Sequence, residues 1–309
     1  MPAELESHPG AAALQHRLNG LPAAPYRSGP PRVMGIVNAT PDSFSDGGLA
    51  AKADDAIARA RQLATDGAGI IDVGGESTRP GAQTVPAEEE WRRVAPVLEA
   101  LVGDGITVSI DTRKALVMQR AAALGVPIIN DVSALTYDPA AMAAAAQSSA
   151  DIVLMHAQGD PATMQQAPRY DDVVLDVFDA LETRIAACVA AGIDRSRLIA
   201  DPGIGFGKTF AQNVALLRCL PMFQALGVPL LVGASRKGFI GWLTGVQTAR
   251  DRLGGSVGAA LFAADRGADI LRVHDVAATA EALAVFGAAA GWRARQDAAH
   301  DGQPARHSG

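Results

Sequence analysis

Eight short runs rich in Val, Ile and Leu recur along the chain, each closing on polar residues and each followed by a stretch of helical period. They occupy 33–37, 69–73, 106–110, 126–129, 151–155, 197–200, 229–232 and 269–273. Continuous apolar runs, rather than strict alternation, are what strands of a parallel sheet covered on both faces require. Between them, apolar residues repeat at i, i+3, i+4 and i+7: Ala53, Ala56, Ile57, Ala60, Leu63 and Ala64 in one segment, Val174, Val177, Phe178, Leu181, Ile185 and Cys188 in another. Gly67, Gly125, Gly192, Gly227 and Gly267 stand just past such segments, where a left-handed C-cap favours glycine. Eight strand–helix units in a chain of 309 residues predict an α/β protein, a single-domain (β/α)8 TIM barrel. An open eight-stranded sheet is the structural alternative.

Composition narrows the function classes. No linker-like shift interrupts 33–290, so one domain over 31–292 is expected, with loosely ordered extensions at 1–30 and 293–309. A net charge of −6 gives no electrostatic reason for a nucleic-acid or anionic-membrane partner. No apolar run is long enough for a membrane span, and Pro9, Gly10, Gly20, Pro22 and Pro25 break up any signal-peptide core. Cys188 and Cys219 sit in apolar helical patterns without metal-ligand spacing and read as reduced core thiols, which suits the cytoplasm.

The chemistry-bearing residues collect at the ends of the runs: Asn38; Asp72 and Glu76; Asp111; Asn130 and Asp131; His156; Asp201; Ser235, Arg236 and Lys237; Arg272 and His274. In a barrel all these ends lie on one face, where the βα loops build the active site. A single Asp after a strand is usually a helix cap, but eight consecutive polar strand ends exceed that explanation. Carboxylates and amides converging there can read the donor and acceptor edges of a small heterocycle. Lys237, Arg272 and, if protonated, His274 form a cationic corner after the last two strands, where such barrels bind phosphate. The segment from Asp201 to Thr209 resembles a nucleotide-binding P-loop at Gly207-Lys208-Thr209. Pro202 stands where that loop needs glycine and offers no N–H to a phosphate, so Lys208 reads as a surface or loop-bracing residue. Loops 38–48 and 74–81, rich in Gly, Pro and Ser, are candidates for lids.

The motifs Met34-Gly-Ile-Val-Asn-Ala-Thr-Pro-Asp-Ser-Phe-Ser-Asp-Gly-Gly48 and Asp72-Val-Gly-Gly-Glu-Ser-Thr-Arg-Pro-Gly81 resemble the two signatures of dihydropteroate synthases. Ser109-Ile-Asp-Thr112, Ile129-Asn-Asp-Val132, Asp201-Pro-Gly-Ile-Gly-Phe206, Ser235-Arg-Lys237 and Arg272-Val-His-Asp275 continue the resemblance in order, so that it covers roughly 31–290. It implies a homodimeric barrel that displaces pyrophosphate from a dihydropterin pyrophosphate with the amine of p-aminobenzoate, assisted by Mg²⁺. It also implies roles. Asp111, Asn130, Met155, Asp201 and Lys237 would hold the pterin. Asn38, Arg272 and His274 would hold the pyrophosphate, with Asn38 on the metal. Phe44, Thr78, Arg79, Pro80, Phe206 and Lys237 would surround p-aminobenzoate. Asn38, Asp111, Lys237, Arg272 and His274 are the residues assigned to the reaction itself.

Two positions depart from the pattern. Gly238 stands where the family often has Ser, and Ala157 where Met commonly follows Met155-His156. Two other readings share the barrel: a pterin-binding domain that presents methyltetrahydrofolate to a corrinoid protein, and a non-catalytic pterin-binding homologue. The first needs neither the Thr78-Arg79-Pro80 segment nor the cationic corner; the second is expected to have lost part of one of them.

Overall fold

Inward and outward side chains alternate along every strand, and that alternation organises the molecule. The computed structural model describes residues 29–40, 49–77, 84–159 and 168–292. The strands are β1 (Arg32–Asn38), β2 (Ile70–Gly74), β3 (Val108–Asp111), β4 (Ile128–Asp131), β5 (Asp151–Met155), β6 (Leu198–Asp201), β7 (Leu231–Val232) and β8 (Ile270–Val273). All pairings are parallel, in the order β6-β5-β4-β3-β2-β1-β8-β7. A parallel bridge between Ala200 and Leu230, with the Ala200 N–H donating to the Pro229 carbonyl at 2.9 Å, joins the two ends and rounds the sheet into a barrel. Pro229 has no N–H to give, and β7 is confined to two residues.

The helices that follow the strands are α1 (Leu49–Thr65), α2 (Ala87–Gly103), α3 (Ala115–Ala123), α4 (Ala141–Gln147), α5 (Val173–Ala190), α6 (Phe210–Arg218), the short α7 (Leu220–Phe223), α8 (Gly238–Thr244), α9 (Leu253–Asp265) and α10 (Val276–Ala289). The predicted helical faces are the packed ones: α5 buries Val174, Val177, Phe178, Leu181, Ile185 and Cys188. The five helix-ending glycines all have positive φ, as the C-cap reading requires. Both cysteines are buried and free. No helix among the described residues is long and apolar enough to cross a membrane.

Two apolar cores result. The larger, including Val37, Ile71, Val73, Ile110, Ile152 and Leu271, lies between barrel and helices. The smaller, made of Met34, Ile70, Ile128, Val153, Ile199, Leu231 and Ile270, fills the barrel interior. Seven of the eight strands contribute to that plug, which makes this a packed barrel and not a pore.

Candidate active site

Two residues beyond the plug, the same inward face turns polar. Ile70 gives way to Asp72, Ile128 to Asn130, Ile199 to Asp201 and Ile270 to Arg272, while Met155 follows Val153. Strand register places Asn38 beside Gly74, Gly74 beside Asp111, Asp111 beside Asn130, and Met155 beside Asp201. Residues distant in sequence therefore meet in one layer at the C-terminal ends of the strands. Of the eight expected pterin and pyrophosphate residues, Asn38, Asp111, Asn130, Met155, Asp201, Lys237, Arg272 and His274, all lie at this end of the barrel.

The layer is held by charge. Arg272 donates through Nε to Asp72 Oδ2 at 2.6 Å and through Nη2 to Asp111 Oδ2 at 2.8 Å. Asn130 Nδ2 donates to Asp72 Oδ2 at 3.1 Å. Burial disfavours the Arg272 cation, but Asp72 and Asp111 outweigh it and raise its pKa further. Burial pushes Asp111 up to about 7; Arg272 pulls it back, and the nearby Asp72 adds to the rise. Asp201 is pushed up to about 6 by burial, opposed by the Gly203 N–H at 2.7 Å and by the charges of Lys237, Lys208 and Arg272.

Above this floor opens a cavity of about 780 Å³ whose lining includes Asn38, Asp111, Phe206, Lys237, Arg272 and His274. The Lys237 ammonium stands 4.0 Å from the centre of the Phe206 ring. His274 Nδ1 is 3.1 Å from Ser235 Oγ. Burial, then the charges of Arg236 and Arg272, push His274 down to about 4. The sequence reading counts His274 as a cation only if protonated, and burial together with these arginines favours its neutral form. Arg236, with φ of 60°, turns back to pair with Asp275 at 3.0 Å and is spent on the wall of the site. A second cavity, of about 460 Å³, shares Met155 and Phe206 with this region and is lined also by Ala157 and Tyr137. Gly238 opens α8 and is exposed; a Cβ there would stand 3.1 Å from the Phe210 ring.

A buried ion network braces the rim. Glu76 accepts from Lys114 at 2.7 Å, from Arg113, and from the backbone N–H of Val85 at 2.7 Å; Lys114 also pairs with Glu90. Burial pushes Glu76 upward, but these partners prevail and hold it below the usual carboxylate range. Phe44, Thr78, Arg79 and Pro80, and most of the two candidate lids, lie outside the described residues.

One role escaped sequence reasoning, and the structure narrows one reading. Asp72 is wholly buried and links Asn130 to Arg272; its signal was its place two residues beyond an inward Ile. Lys208 is 1% exposed, which overturns the surface option and keeps the bracing one. Burial lowers its ammonium to about 7 against the pull of Asp201.

Residues 34–274 match the family profile described as pterin binding enzyme. The chain is 54% identical over 261 residues to a dihydropteroate synthase of Neisseria meningitidis serogroup B, covering 83% of this chain and 92% of that one. To the Escherichia coli dihydropteroate synthase it is 49% identical, with 82% and 90% covered. Among solved structures, a Xanthomonas albilineans dihydropteroate synthase with 4-aminobenzoic acid superposes with a TM-score of 0.80 at 53% identity, covering 84% of this chain and 93% of that one. The same enzyme in complex with 7,8-dihydropteroate gives a TM-score of 0.78 at 50% identity, with 86% and 95% covered. The eight-stranded barrel, the polar layer on its plug and this extent of identity together establish that the chain belongs to the dihydropteroate synthases, within the pterin-binding enzymes.

Proposed function

We propose that the protein is a transferase of folate biosynthesis: it condenses 6-hydroxymethyl-7,8-dihydropterin pyrophosphate with p-aminobenzoate, giving 7,8-dihydropteroate and pyrophosphate. The carrying observation is the layer of Asp111, Asn130 and Asp201 on the barrel plug, adjoining a cavity that holds Asn38, Lys237, Arg272 and His274. The amino-pyrimidinone edge of a pterin offers two parallel N–H donors, and an ionised Asp201 can accept both. Asn130 has its amide nitrogen on Asp72, which leaves its oxygen as the acceptor for the ring, and Lys237 donates to the ring's own acceptors.

The bond that breaks joins the pterin methylene to a pyrophosphate oxygen, which departs with the electron pair. The arylamine nitrogen then bonds to that carbon and releases one proton. The methylene cation is conjugated with the pterin, so the path is dissociative and a weak nucleophile needs no strong base. Negative charge grows on the leaving group, and the Arg272 cation, with hydrogen bonding from Asn38 and the neutral His274, stabilises it more in the transition state than before. Phe206 and the stem of Lys237, with Phe44, Thr78, Arg79 and Pro80, are assigned to p-aminobenzoate.

Mg²⁺ suits this corner. It is a hard cation that takes one or two protein oxygens and completes its shell with phosphate oxygens and water. Asn38 Oδ1 and Asp111 Oδ2 each stand 3.8 Å from the point that a Cβ on Gly74 would fill, so the missing side chain keeps a space open between two oxygens. Asn38 would hold the ion, which when bound would neutralise pyrophosphate charge.

A homodimer is the proposed assembly, supported by Leu253, Phe262 and Val285, exposed on the adjacent helices α9 and α10. The free thiols support a cytoplasmic site of action. The test is pyrophosphate release from the pterin substrate with Mg²⁺, with and without p-aminobenzoate. Release coupled to dihydropteroate formation is expected. Tight pterin binding without p-aminobenzoate-dependent release would favour a non-catalytic homologue or the methyltransferase domain.

A further inference from the structure

Lysine ordinarily keeps its ammonium in water, yet Lys208 is among the largest fully buried side chains of the protein. Its Nζ donates to the backbone carbonyls of Phe206 at 2.9 Å, Gly203 at 3.0 Å and His156 at 3.1 Å, and lies 3.0 Å from His156 Nδ1. An ammonium has donors only, so Nδ1 accepts and the imidazole proton stands on Nε2. Burial, then the Lys208 charge, push His156 down to about 3, in keeping with a neutral acceptor. Three N–H donors facing four acceptors offset the desolvation of a cation that would otherwise be too costly to bury.

The cage closes a turn that ordinary backbone would not hold. Gly203 and Gly205 have φ of 68° and 85°, and the carbonyls of residues 203 and 206 converge on one point, where their oxygens repel unless a cation sits between them. A Cβ on Gly203 would stand 1.9 Å from the His156 carbonyl oxygen, so turn and β5 end are locked together around Nζ. The same turn seats two residues of the cavity. Phe206 lies under the Lys237 ammonium, and a Cβ on Gly205 would stand 2.8 Å from Lys237 Cδ. The Lys237 stem thus rests on the turn that Lys208 ties.

We infer that Lys208 is a positioning residue of the pterin site: its buried ammonium, gripped by the carbonyls of His156, Gly203 and Phe206, fixes the turn that seats Phe206 and Lys237. The inference rests on the proposed reading of the cavity as a pterin site. It touches the substrates only through those two residues, Lys237 against the pterin and p-aminobenzoate and Phe206 against p-aminobenzoate, so its signature is a loss on both substrates that spares pyrophosphate, which Asn38, Arg272 and His274 hold.

The experiment titrates a pterin against the full-length wild type, Lys208→Met and Lys208→Ala by pterin fluorescence, with KM measured for both substrates and inhibition by pyrophosphate measured beside them. In Lys208→Met the pterin Kd and the KM of both substrates should weaken by about tenfold or more while inhibition by pyrophosphate stays within about threefold, as expected when charge-assisted bonds beneath Phe206 and Lys237 are lost. Propylammonium, which replaces the removed stem and its N–H donors, should restore Lys208→Ala saturably; tetramethylammonium, equally charged but without N–H, should not. A folded Lys208→Met with wild-type affinity for pterin and p-aminobenzoate, or an equal loss on pyrophosphate, overturns the inference. If neither variant folds, the ¹⁵N ammonium resonance of Lys208 in the wild type decides: a shift on saturation with pterin supports the role, an unmoved resonance overturns it. Wild type that binds pterin without turnover would sink the synthase reading alone, because the binding arms still report on Lys208.

Discussion

The barrel interior holds two layers built from the same inward faces of the same strands, and their chemistry is opposite. The lower layer is Met34, Ile70, Ile128, Val153, Ile199, Leu231 and Ile270, with the small Ser109 of β3 beside Ile128. One inward step along the strands, about 6.6 Å away, stand Asp72, Asn130, Asp201 and Arg272. Both layers are nearly dry. The lower one gains by burial; the upper one loses, since a carboxylate taken out of water costs several kcal/mol before its partners offset it. The upper layer shows that strain: Asp111 and Asp201 have raised pKa values, and Asp72 Oδ1 is buried without a hydrogen-bond partner among the described residues. Stability resides in one layer and recognition in the next, and the plug is what allows the costly layer to exist.

Three substitutions test that division, from the largest effect down. Asp201→Asn replaces one acceptor oxygen by an NH₂ facing the pterin's own donors. With two charge-assisted bonds at stake, each worth roughly 1.5–3 kcal/mol, pterin affinity should fall by roughly 10²- to 10⁴-fold, with thermal stability unchanged or raised. A large drop in melting temperature in place of lost affinity would put Asp201 in the wrong layer. Arg272→Met strips Asp72 and Asp111 of their shared cation and should destabilise by roughly 3–5 kcal/mol in denaturant titration. Adding Asp111→Asn to it should recover part of that loss; if it does not, the Arg272 pair is not what the carboxylates depend on. Ile199→Ala, two residues from Asp201, should cost roughly 2–4 kcal/mol of stability while leaving the KM of the folded enzyme near wild type. A KM that rises as steeply as stability falls would merge the two layers into one.

What could be read from sequence divides along the same line. The eight apolar runs and their helical intervals pointed to eight parallel strands because each signal is local: a strand pattern needs no knowledge of its neighbours. The polar strand ends were legible for the same reason, and Asn38, Asp111, Asn130, Asp201, Lys237, Arg272 and His274 were each visible before their geometry was known. Partnership was not legible. That Arg272 bridges Asp72 and Asp111, from positions 200 and 161 residues away, depends on barrel closure. The neutrality of His274 depends on the burial and neighbouring arginines that closure creates. Sequence leaves Lys208 between surface and loop-bracing for a related reason, because exposure is the default for lysine and only the convergence of three carbonyls reverses it.

The smallest effect is also the most selective, because acid should move the two properties of Asp201 in opposite directions. Its folded pKa, about 6, lies above the ordinary 3.8, so the folded state binds its proton more tightly than the unfolded chain does. Through this group, stability falls as pH rises between those values and recovers as pH is lowered. Pterin recognition runs the other way, since only the ionised carboxylate accepts two N–H donors. Below about pH 6 the ionised fraction drops tenfold per unit, so the pterin Kd should rise by about tenfold, or 1.4 kcal/mol, for each unit of acidification. Of the cations facing it, Arg272 keeps its charge throughout, whereas Asp111 and Lys208, both at about 7, add a separate inflection. Comparing wild type with Asp201→Asn separates them. The inflection near 6 should vanish in the variant, and the one near 7 should persist. A wild-type profile flat from neutral pH to about pH 5, or one shared by the variant, would remove Asp201 from pterin recognition.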